Sequence, residues 1–359
     1  MKRSQFLRDS LLLLVFIIFS QELLAQNIYK KDLYYKNHNE LTDSNSLKYS
    51  KLDVFYPTKK TNPPTVIFIH GGGLTEGVKF LPQRYVDKQF IVVAPDYRLS
   101  PASKCPTYIE DVAEAIAWTF KHVREFGGSE KNIYLTGYSS GAYLAAMVFF
   151  NKEYLGKYGI DPDSLAGFFS LSGQMTTHFQ ILREKGKIAG YDSPFIDEFA
   201  PLYHIRKTNS PATFFIGGRD LDMAGRYVQN TRMAFLLDSI GNKNVNLIEL
   251  KGKDHSTVLD TALMISCRQI DAIEINRSPD SINQIHKSKC KVIIQNNCLK
   301  VLTDELIHEI CIYNVQGKKV LTESFKNDID VSKLNEGIFL SYVETKDNTY
   351  VNKFIISKK

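Results

Sequence analysis

The sequence predicts an α/β fold with a mostly parallel sheet and helices on both faces, followed by a small all-β domain. Up to residue 275, short and nearly continuous apolar runs alternate with stretches whose apolar residues recur at helical spacing. Strands that are apolar on both faces are typical of a parallel sheet covered by helices on each side. After a polar stretch, closely spaced β-prone runs take over, and this change predicts the second domain.

The first residues have the layout of a secretory signal peptide. Lys2 and Arg3 form a positive start, Leu11 to Phe19 is an uninterrupted apolar run, and Leu23-Leu24-Ala25 offers a cleavage point. The apolar run is shorter than the ~20 residues that span a bilayer. We therefore predict that residues 1–25 are removed, and that the mature chain passes through the periplasm to be secreted or held at the cell surface.

Composition excludes several other classes of function. The net charge is +6, and no basic stripe with interleaved aromatic residues is present, so we expect no nucleic-acid partner. The five cysteines show no C-x-x-C spacing and no cysteine–histidine ligand pattern. We therefore expect neither a metal site nor a cofactor.

The elements of the first domain follow in order. Residues 27–48 are polar and show little pattern, and Ser50 to Tyr56 alternates like a half-exposed strand. A long helix begins at Pro106 and ends at Gly127-Gly128. The apolar strands are predicted at Thr65–Ile69, Phe90–Ala94, Asn132–Thr136, Ala166–Leu171, Ala212–Ile216 and Val245–Leu250.

A serine stands between two glycines at a predicted strand-to-helix turn. The strand Asn132–Thr136 leads into Gly137-Tyr138-Ser139-Ser140-Gly141, and a helix-forming stretch follows. The small flanking residues allow a tight turn that exposes the Ser139 hydroxyl above the sheet, with the N–H of Ser140 pointing to the same place. Ser140 is the alternative nucleophile, but the glycine spacing favours Ser139.

A glycine run follows the strand Thr65–Ile69. His70-Gly71-Gly72-Gly73 permits close backbone approach and exposes several N–H groups to one point. A phosphate-binding loop is the competing interpretation, but the Lys-Ser/Thr ending of such a loop is absent. The run therefore fits an oxyanion hole better.

A histidine base and its carboxylate partner are predicted at two later strand ends, on the rim that carries Ser139. Asp220 follows the glycine pair after Ala212–Ile216, and His255 follows Val245–Leu250. Their order after Ser139 is the one associated with α/β-hydrolase sheets. Asp222 competes with Asp220, which we favour for its position at the strand end. Asp254, adjacent to His255, is discounted because it could hardly reach back to the ring.

At this point residues 50–275 resemble an α/β-hydrolase of the esterase/lipase group that carries an HGGG motif, including its hormone-sensitive-lipase-like and carbohydrate-esterase-like branches. The resemblance rests on His70 to Gly73, Asp96 to Pro101, Gly137 to Gly141, Asp220 and His255. It implies that Ser139 is the nucleophile, His255 the general acid/base and Asp220 its orienting partner. It also implies an oxyanion hole formed by the N–H groups of Gly72, Gly73 and Ser140. Leu74 departs from the pattern, since many relatives carry an aromatic residue there.

The tail predicts a small antiparallel β-sandwich. Its β-rich runs are Val292–Gln295, Ile307–Val315, Val320–Phe325, Ile338–Thr345 and Tyr350–Ile356. Ile312 to Val320, Leu334 to Phe339 and Lys353 to Ile356 resemble the C-terminal sorting domain of the type IX secretion system. A carbohydrate-binding or spacer domain is the alternative. We predict a hydrolase domain at 26–275, a linker at 276–289 and the sorting domain at 290–359.

These observations favour a secreted serine hydrolase that cleaves carboxylic esters through an acyl-enzyme. The expected substrates are small or polysaccharide-linked esters with short acyl groups, and the expected partner of the tail is the secretion machinery. An amidase, formamidase or peptidase would use the same three residues. A non-catalytic surface binding protein with an inherited fold is the third hypothesis.

Overall fold

The computed structural model describes residues 27–277, 290–295, 297–303, 306–314, 319–324, 326–345 and 349–357. The predicted signal peptide and residues 278–289 of the predicted linker lie outside the described residues. Within these ranges, no helix combines the length and the apolar character that a membrane crossing requires. The boundaries between the domains stay a prediction.

The seven predicted strands of the first domain lie close to their predicted positions, and so do the helices predicted from Pro106 and after Gly141. The strands are β1 Ile28–Tyr34, β2 Lys51–Tyr56, β3 Thr65–Ile69, β4 Ile91–Pro95, β5 Ile133–Tyr138, β6 Gly167–Leu171, β7 Ala212–Gly217 and β8 Val245–Leu250. The helices are α1 Ser44–Tyr49, α2 Gln83–Asp87, α3 Thr107–His122, α4 Ser140–Phe150, α5 Lys152–Gly156, α6 Phe179–Glu184, α7 Arg226–Ser239 and α8 Val258–Arg277. Short 3-10 turns lie at His38–Glu40, Val123–Phe126, Glu130–Asn132, Pro162–Ser164 and Pro201–His204.

The eight strands form one sheet in the order β1-β2-β4-β3-β5-β6-β7-β8. β2 pairs antiparallel with β1 and with β4, and all other neighbours are parallel. The predicted α/β fold is therefore confirmed. Because β3, β5, β6, β7 and β8 run in the same direction, the loops after them meet along one rim of the sheet.

Helices cover both faces of the sheet, as the apolar strands predict. One hydrophobic core lies between the sheet and α3, α4 and the second half of α7. The other lies between the opposite face and helices α2 and α8. Helix α4, which begins directly after Ser139, is buried along its whole length. It therefore holds that end of β5 rigidly against the sheet.

The N-terminal edge of the sheet differs from the prediction. β1 lies in residues that the sequence presents as polar and without pattern, and most of its side chains are exposed. β2, predicted to be half exposed, has four buried residues in succession. A polar edge strand is held mainly by backbone hydrogen bonds to its neighbour, which leave no hydrophobic pattern in the sequence. By pairing with β2, this strand makes β2 an interior strand of the sheet.

The tail forms two antiparallel sheets, as predicted for a β-sandwich. β9 Lys291–Gln295 and β13 Asp328–Asp330 flank β10 Cys298–Leu302, and the second sheet has the order β12-β11-β14-β15. Its strands are β11 Ile307–Asn314, β12 Lys319–Ser324, β14 Gly337–Thr345 and β15 Thr349–Ile356. Two short strands, β10 and β13, were not predicted. The tail contacts α8, where Arg268 pairs with Glu344 and the Tyr342 hydroxyl donates to Asp271 at 2.7 Å.

Candidate active site

Ser139 occupies a sharp turn between β5 and α4. Its backbone has a φ of +55° and a ψ of −120°, a conformation that residues other than glycine rarely adopt. The flanking glycines make the turn possible: a Cβ at Gly137 would overlap the carbonyl of Gly141, and one at Gly141 would overlap the carbonyls of Ile69 and His70. Strain of this kind is typical of functional turns, and here it lifts the serine side chain above the sheet.

Ser139 and His255 lie in contact, as the sequence predicts. The Oγ of Ser139 is 2.9 Å from the Nε2 of His255. The Nδ1 of the same ring is 2.8 Å from the Oδ1 of Asp222. A carboxylate can only accept, so Nδ1 carries the proton and donates it, and Nε2 is free to accept from the serine hydroxyl. The three side chains thus form a relay from carboxylate to imidazole to hydroxyl.

The carboxylate in this relay is Asp222, and the prediction of Asp220 is wrong on this point of geometry. Asp220 lies on an exposed turn, whereas the carboxylate of Asp222 is 1% exposed. After β7 the chain turns back, with the N–H of Asp222 donating to the Gly218 carbonyl at 3.0 Å. This turn returns the Asp222 side chain to the strand end, where it accepts from the Gly217 N–H at 2.7 Å. Position along the sequence could not show the turn.

Ser172 is a member of the cluster that the sequence analysis missed. Its Oγ lies 2.8 Å from both carboxylate oxygens of Asp222 and 2.9 Å from the Nδ1 of His255. The residue directly follows β6, which lies between β5 and β7 in the sheet, and its φ is +51°. The available signal was its position: a small polar residue at a strand end on the same rim.

The carboxylate of Asp222 is held in its charged form. Burial raises its pKa, but hydrogen bonds from His255, from the Gly217 N–H and from Ser172 outweigh burial and keep the pKa below its ordinary value. The Met223 N–H adds a further hydrogen bond to Oδ1 at 2.7 Å. A fixed negative charge next to Nδ1 stabilises an imidazolium if Nε2 takes a proton.

The turn that carries His255 is itself braced. The Tyr138 hydroxyl donates to the backbone carbonyl of His255 at 2.6 Å, and the two rings lie 5.3 Å apart. Asp254 accepts from the backbone N–H and the hydroxyl of Thr257, each at 2.7 Å. These bonds lower the pKa of Asp254 to about 2. Asp254 therefore holds the turn before α8, and the histidine pairs with Asp222.

The glycine loop lies against the serine turn. A Cβ at Gly71 would come 3.2 Å from the Cβ of Ser139, so only glycine fits this approach without a shift. Gly72 has a φ of +127°, and its carbonyl accepts from the N–H groups of Thr75 and Glu76 at 3.1 and 3.0 Å. Within the described residues, no hydrogen bond engages the N–H groups of Gly72 and Gly73. They are thus available to a ligand.

Asp96 and Tyr97 hold the glycine loop from below. The Tyr97 hydroxyl donates to the His70 carbonyl at 3.0 Å, and its ring stacks on the His70 ring at 4.4 Å. Asp96 Oδ1 accepts from the Lys79 N–H at 2.6 Å and lies 3.4 Å from the His70 Nε2. His70 therefore shapes the loop from a buried position.

Leu74, the departure from the expected pattern, is buried in the core. The aromatic side chain beside the glycines comes from elsewhere in the chain: a Cβ at Gly73 would lie 3.6 Å from the Cζ of Phe179. Phe179 in turn packs edge-on against Tyr191, with ring centres 4.7 Å apart. The Phe179 ring therefore lies next to the glycine loop, with Tyr191 packed against it.

Two family models match the chain. Residues 52–164 match the family BD-FAE, and residues 288–357 match the secretion system C-terminal sorting domain. The chain carries a BD-FAE domain, of the esterase/lipase-like α/β-hydrolase type, and a sorting domain. The BD-FAE match includes the glycine loop and the serine turn. The sorting domain indicates export by the type IX system to the cell surface or beyond it.

Two curated relatives with sequence similarity are named as esterases. A probable isoprenylcysteine alpha-carbonyl methylesterase of Arabidopsis thaliana is 26% identical over 235 residues, which are 58% of this chain and 48% of the relative. Esterase LipC of Mycobacterium tuberculosis is 22% identical over 261 residues, 66% of this chain and 61% of the relative. The chain thus spans about half to three-fifths of the length of these relatives.

Solved structures share the fold. A truncated carbohydrate esterase from gut microbiota superposes with a TM-score of 0.55 at 16% identity, covering 69% of this chain and 96% of that one. Esterase 2 of Thermogutta terrifontis superposes with a TM-score of 0.51 at 17% identity, covering 68% and 92%. At these identities the likeness shows that the α/β-hydrolase fold is shared, and it shows no more than that.

Proposed function

We propose that the protein is a secreted serine hydrolase that cleaves carboxylic esters through an acyl-enzyme intermediate. One observation carries the proposal: the Ser139 hydroxyl is 2.9 Å from the His255 Nε2, whose Nδ1 is 2.8 Å from the buried carboxylate of Asp222. A serine hydroxyl is a weak nucleophile until a base accepts its proton, and this arrangement supplies the base and orients it. The esterase relatives support the choice of ester substrates.

In the first step the Ser139 Oγ attacks the ester carbonyl carbon as its proton passes to the His255 Nε2. The carbonyl oxygen becomes an oxyanion, which the N–H groups of Gly72, Gly73 and Ser140 receive. The imidazolium then gives its proton to the leaving alkoxide as the C–O bond breaks, and the acyl group stays on Ser139. Asp222 stays ionised and stabilises the imidazolium.

In the second step a water molecule replaces the alcohol. His255 takes a proton from the water as its oxygen attacks the acyl carbon, and the same N–H groups hold the new oxyanion. Collapse releases the acid and returns the proton to Ser139. Preorganised donors are worth most here because they need no rearrangement when the negative charge forms. The strained turn at Ser139 and the buried α4 supply this rigidity.

The acyl group is proposed to be short. Phe179 lies close to Gly73 and packs on Tyr191, so aromatic rings narrow the space beside the glycine loop. A short acyl group, free or linked to a polysaccharide, fits beside them better than a long chain. The signal peptide is proposed to direct the chain into the periplasm, and the sorting domain to bind the secretion machinery there.

The test is hydrolysis of 4-nitrophenyl esters from acetate to decanoate by the mature protein. We expect turnover of acetate and butyrate, little or none of decanoate, and a loss on the order of 10⁶ in kcat for Ser139→Ala. Ser164→Ala, a substitution at an exposed serine outside the site, is the matched control. Ester hydrolysis by Ser139→Ala at the rate of the parent would refute the proposal. Activity on 4-nitroanilides but not on esters would instead establish an amidase.

A further inference from the structure

The charge of Arg226 is fully buried, and among the described residues no carboxylate forms an ion pair with it. Its side chain is at the first position of α7, and the residue is 1% exposed. Among the described residues, its Nε and Nη1 atoms have no hydrogen-bond partner. Its Nη2 donates a long hydrogen bond to the Met223 sulfur, at 3.9 Å. A guanidinium has five N–H donors, and a buried cation is normally paired or hydrogen-bonded.

The nearby carboxylate does not neutralise this charge by pairing with it. Burial lowers the pKa of Arg226, and Asp222 offsets more of this effect than any other residue. No ion pair joins the two side chains within the described part of the chain. The carboxylate of Asp222 already accepts from His255, Ser172 and two backbone N–H groups. Burial lowers the pKa of Arg226 to about 10, so the side chain stays cationic at neutral pH. Within the described residues, its Nε and Nη1 donors therefore remain without a partner.

His178 supplies a second buried donor in the same region. The His178 Nδ1 accepts from the Gln180 N–H at 3.2 Å, so in the neutral ring the proton is on Nε2. That Nε2 is buried and has no partner among the described residues. Burial, followed by the positive charge of Arg226, lowers the pKa of His178 well below its ordinary value. A neutral N–H donor and a cation are thus both buried, and the cation is close enough to contribute to the lowered pKa of the histidine.

These donors adjoin the proposed active site. His178 contacts Phe179, with ring centres 4.3 Å apart, and Phe179 lies beside Gly73 of the glycine loop. Tyr191, which is 40% exposed, packs on Phe179. After Asp222, it contributes most to offsetting the effect of burial on the pKa of Arg226. The Gln229 side chain, one turn along α7, donates to the Tyr191 carbonyl at 3.1 Å. The start of α7 is therefore hydrogen-bonded to the segment that carries Tyr191.

We propose that Arg226, assisted by the Nε2–H of His178, binds a carboxylate on the ester substrate. The inference rests on the proposed esterase function and narrows it to esters whose acyl or alcohol part is itself acidic. A carboxylate accepts several hydrogen bonds and carries a negative charge, so one carboxylate satisfies the donors of both Arg226 and His178. A neutral ester leaves them unpaired, and sites with unpaired buried polar groups discriminate strongly against such analogues. Because Arg226 is buried, the segment that carries Tyr191 has to shift to admit the acidic group.

The experiment compares isosteric acidic and neutral esters. One pair varies the alcohol part (4-acetoxybenzoate against 4-acetoxybenzamide), and the other varies the acyl part (monomethyl terephthalate against methyl 4-carbamoylbenzoate). We expect kcat/KM to favour the acidic member of at least one pair by about 10-fold or more. Arg226→Met should abolish the preference, and Arg226→Lys should keep part of it. Arg232→Met, which removes an exposed arginine of the same helix, should keep all of it.

Each outcome decides the inference. No preference in either pair, or equal losses on both members in Arg226→Met, overturns it. If Arg226→Met does not fold, inhibition of the unaltered protein decides: terephthalate should compete with 4-nitrophenyl acetate at about 10-fold lower concentration than terephthalamide, and equal inhibition overturns the inference. Hydrolysis of 4-nitrophenyl acetate without a preference would leave the esterase proposal standing. Failure to hydrolyse any ester would refute the esterase proposal itself.

Discussion

Replacing Asp222 by asparagine tests the assignment that the structure changed. The two oxygens of Asp222 accept from different backbone donors, Oδ2 from Gly217 and Oδ1 from Met223, both at 2.7 Å. Either orientation of the asparagine amide therefore turns its NH2 group toward a backbone N–H. An unsatisfied buried donor costs about 1–3 kcal/mol, so Asp222→Asn should unfold at a lower temperature than the parent.

The larger effect is expected on catalysis. An amide cannot stabilise the His255 imidazolium, and its NH2 group favours the tautomer in which Nε2 carries the proton and cannot accept one from Ser139. Comparable triads lose about 10⁴ in kcat on this change. At 1.36 kcal/mol for each factor of ten, that is about 5.5 kcal/mol of transition-state stabilisation. KM should change little because Asp222 does not face the substrate.

The assay is kcat for 4-nitrophenyl acetate, with melting temperature as the check on folding. Asp220→Asn is the matched control, since it removes the same charge from an exposed turn two residues away. We expect it to stay within about 2-fold of the parent, as surface substitutions usually do. A folded Asp222→Asn protein with more than a tenth of parental kcat, beside a large loss in Asp220→Asn, would refute the reasoning and restore Asp220.

Three further predictions concern the residues around the site. Ser172→Ala should lower kcat by about 10- to 100-fold at unchanged KM, since it removes a hydrogen bond to a charged carboxylate; an equal loss in Ser170→Ala, whose buried hydroxyl has no partner among the described residues, would contradict this. Gly141→Ala should yield no soluble protein because its Cβ overlaps two carbonyls, whereas Gly156→Ala, which meets open space, should express normally. Asp254→Ala should lower the melting temperature because it removes the hydrogen bonds to Thr257. Since folding lowers the Asp254 pKa from 3.8 to about 2, the deficit should be full above pH ~4 and roughly halve by pH 3, and a constant deficit would count against the assignment.

The sequence alone determined the features that depend on neighbouring residues. The run Gly137 to Gly141 predicts a strained turn because close backbone packing excludes side chains at the two glycines, a local requirement visible in residue type. The glycine loop after β3 and the histidine after β8 follow the same logic, since a continuous apolar strand marks where the rim begins. Periodicity likewise predicted the parallel sheet and the β-rich tail, because burial on one or both faces leaves a pattern.

The tertiary structure alone decided the features that depend on how distant segments fold back. Asp222 replaces Asp220 beside His255 because the chain reverses after Gly218, and a reversal changes which of two near neighbours returns to the strand end. Ser172 joins the cluster because β6 lies between β5 and β7, an order that no local pattern encodes. Arg226 is ordinary in the sequence and becomes notable only when burial removes water from its donors. Hydrogen bonds and desolvation between remote segments form in three dimensions, and for that reason they set the details of this site.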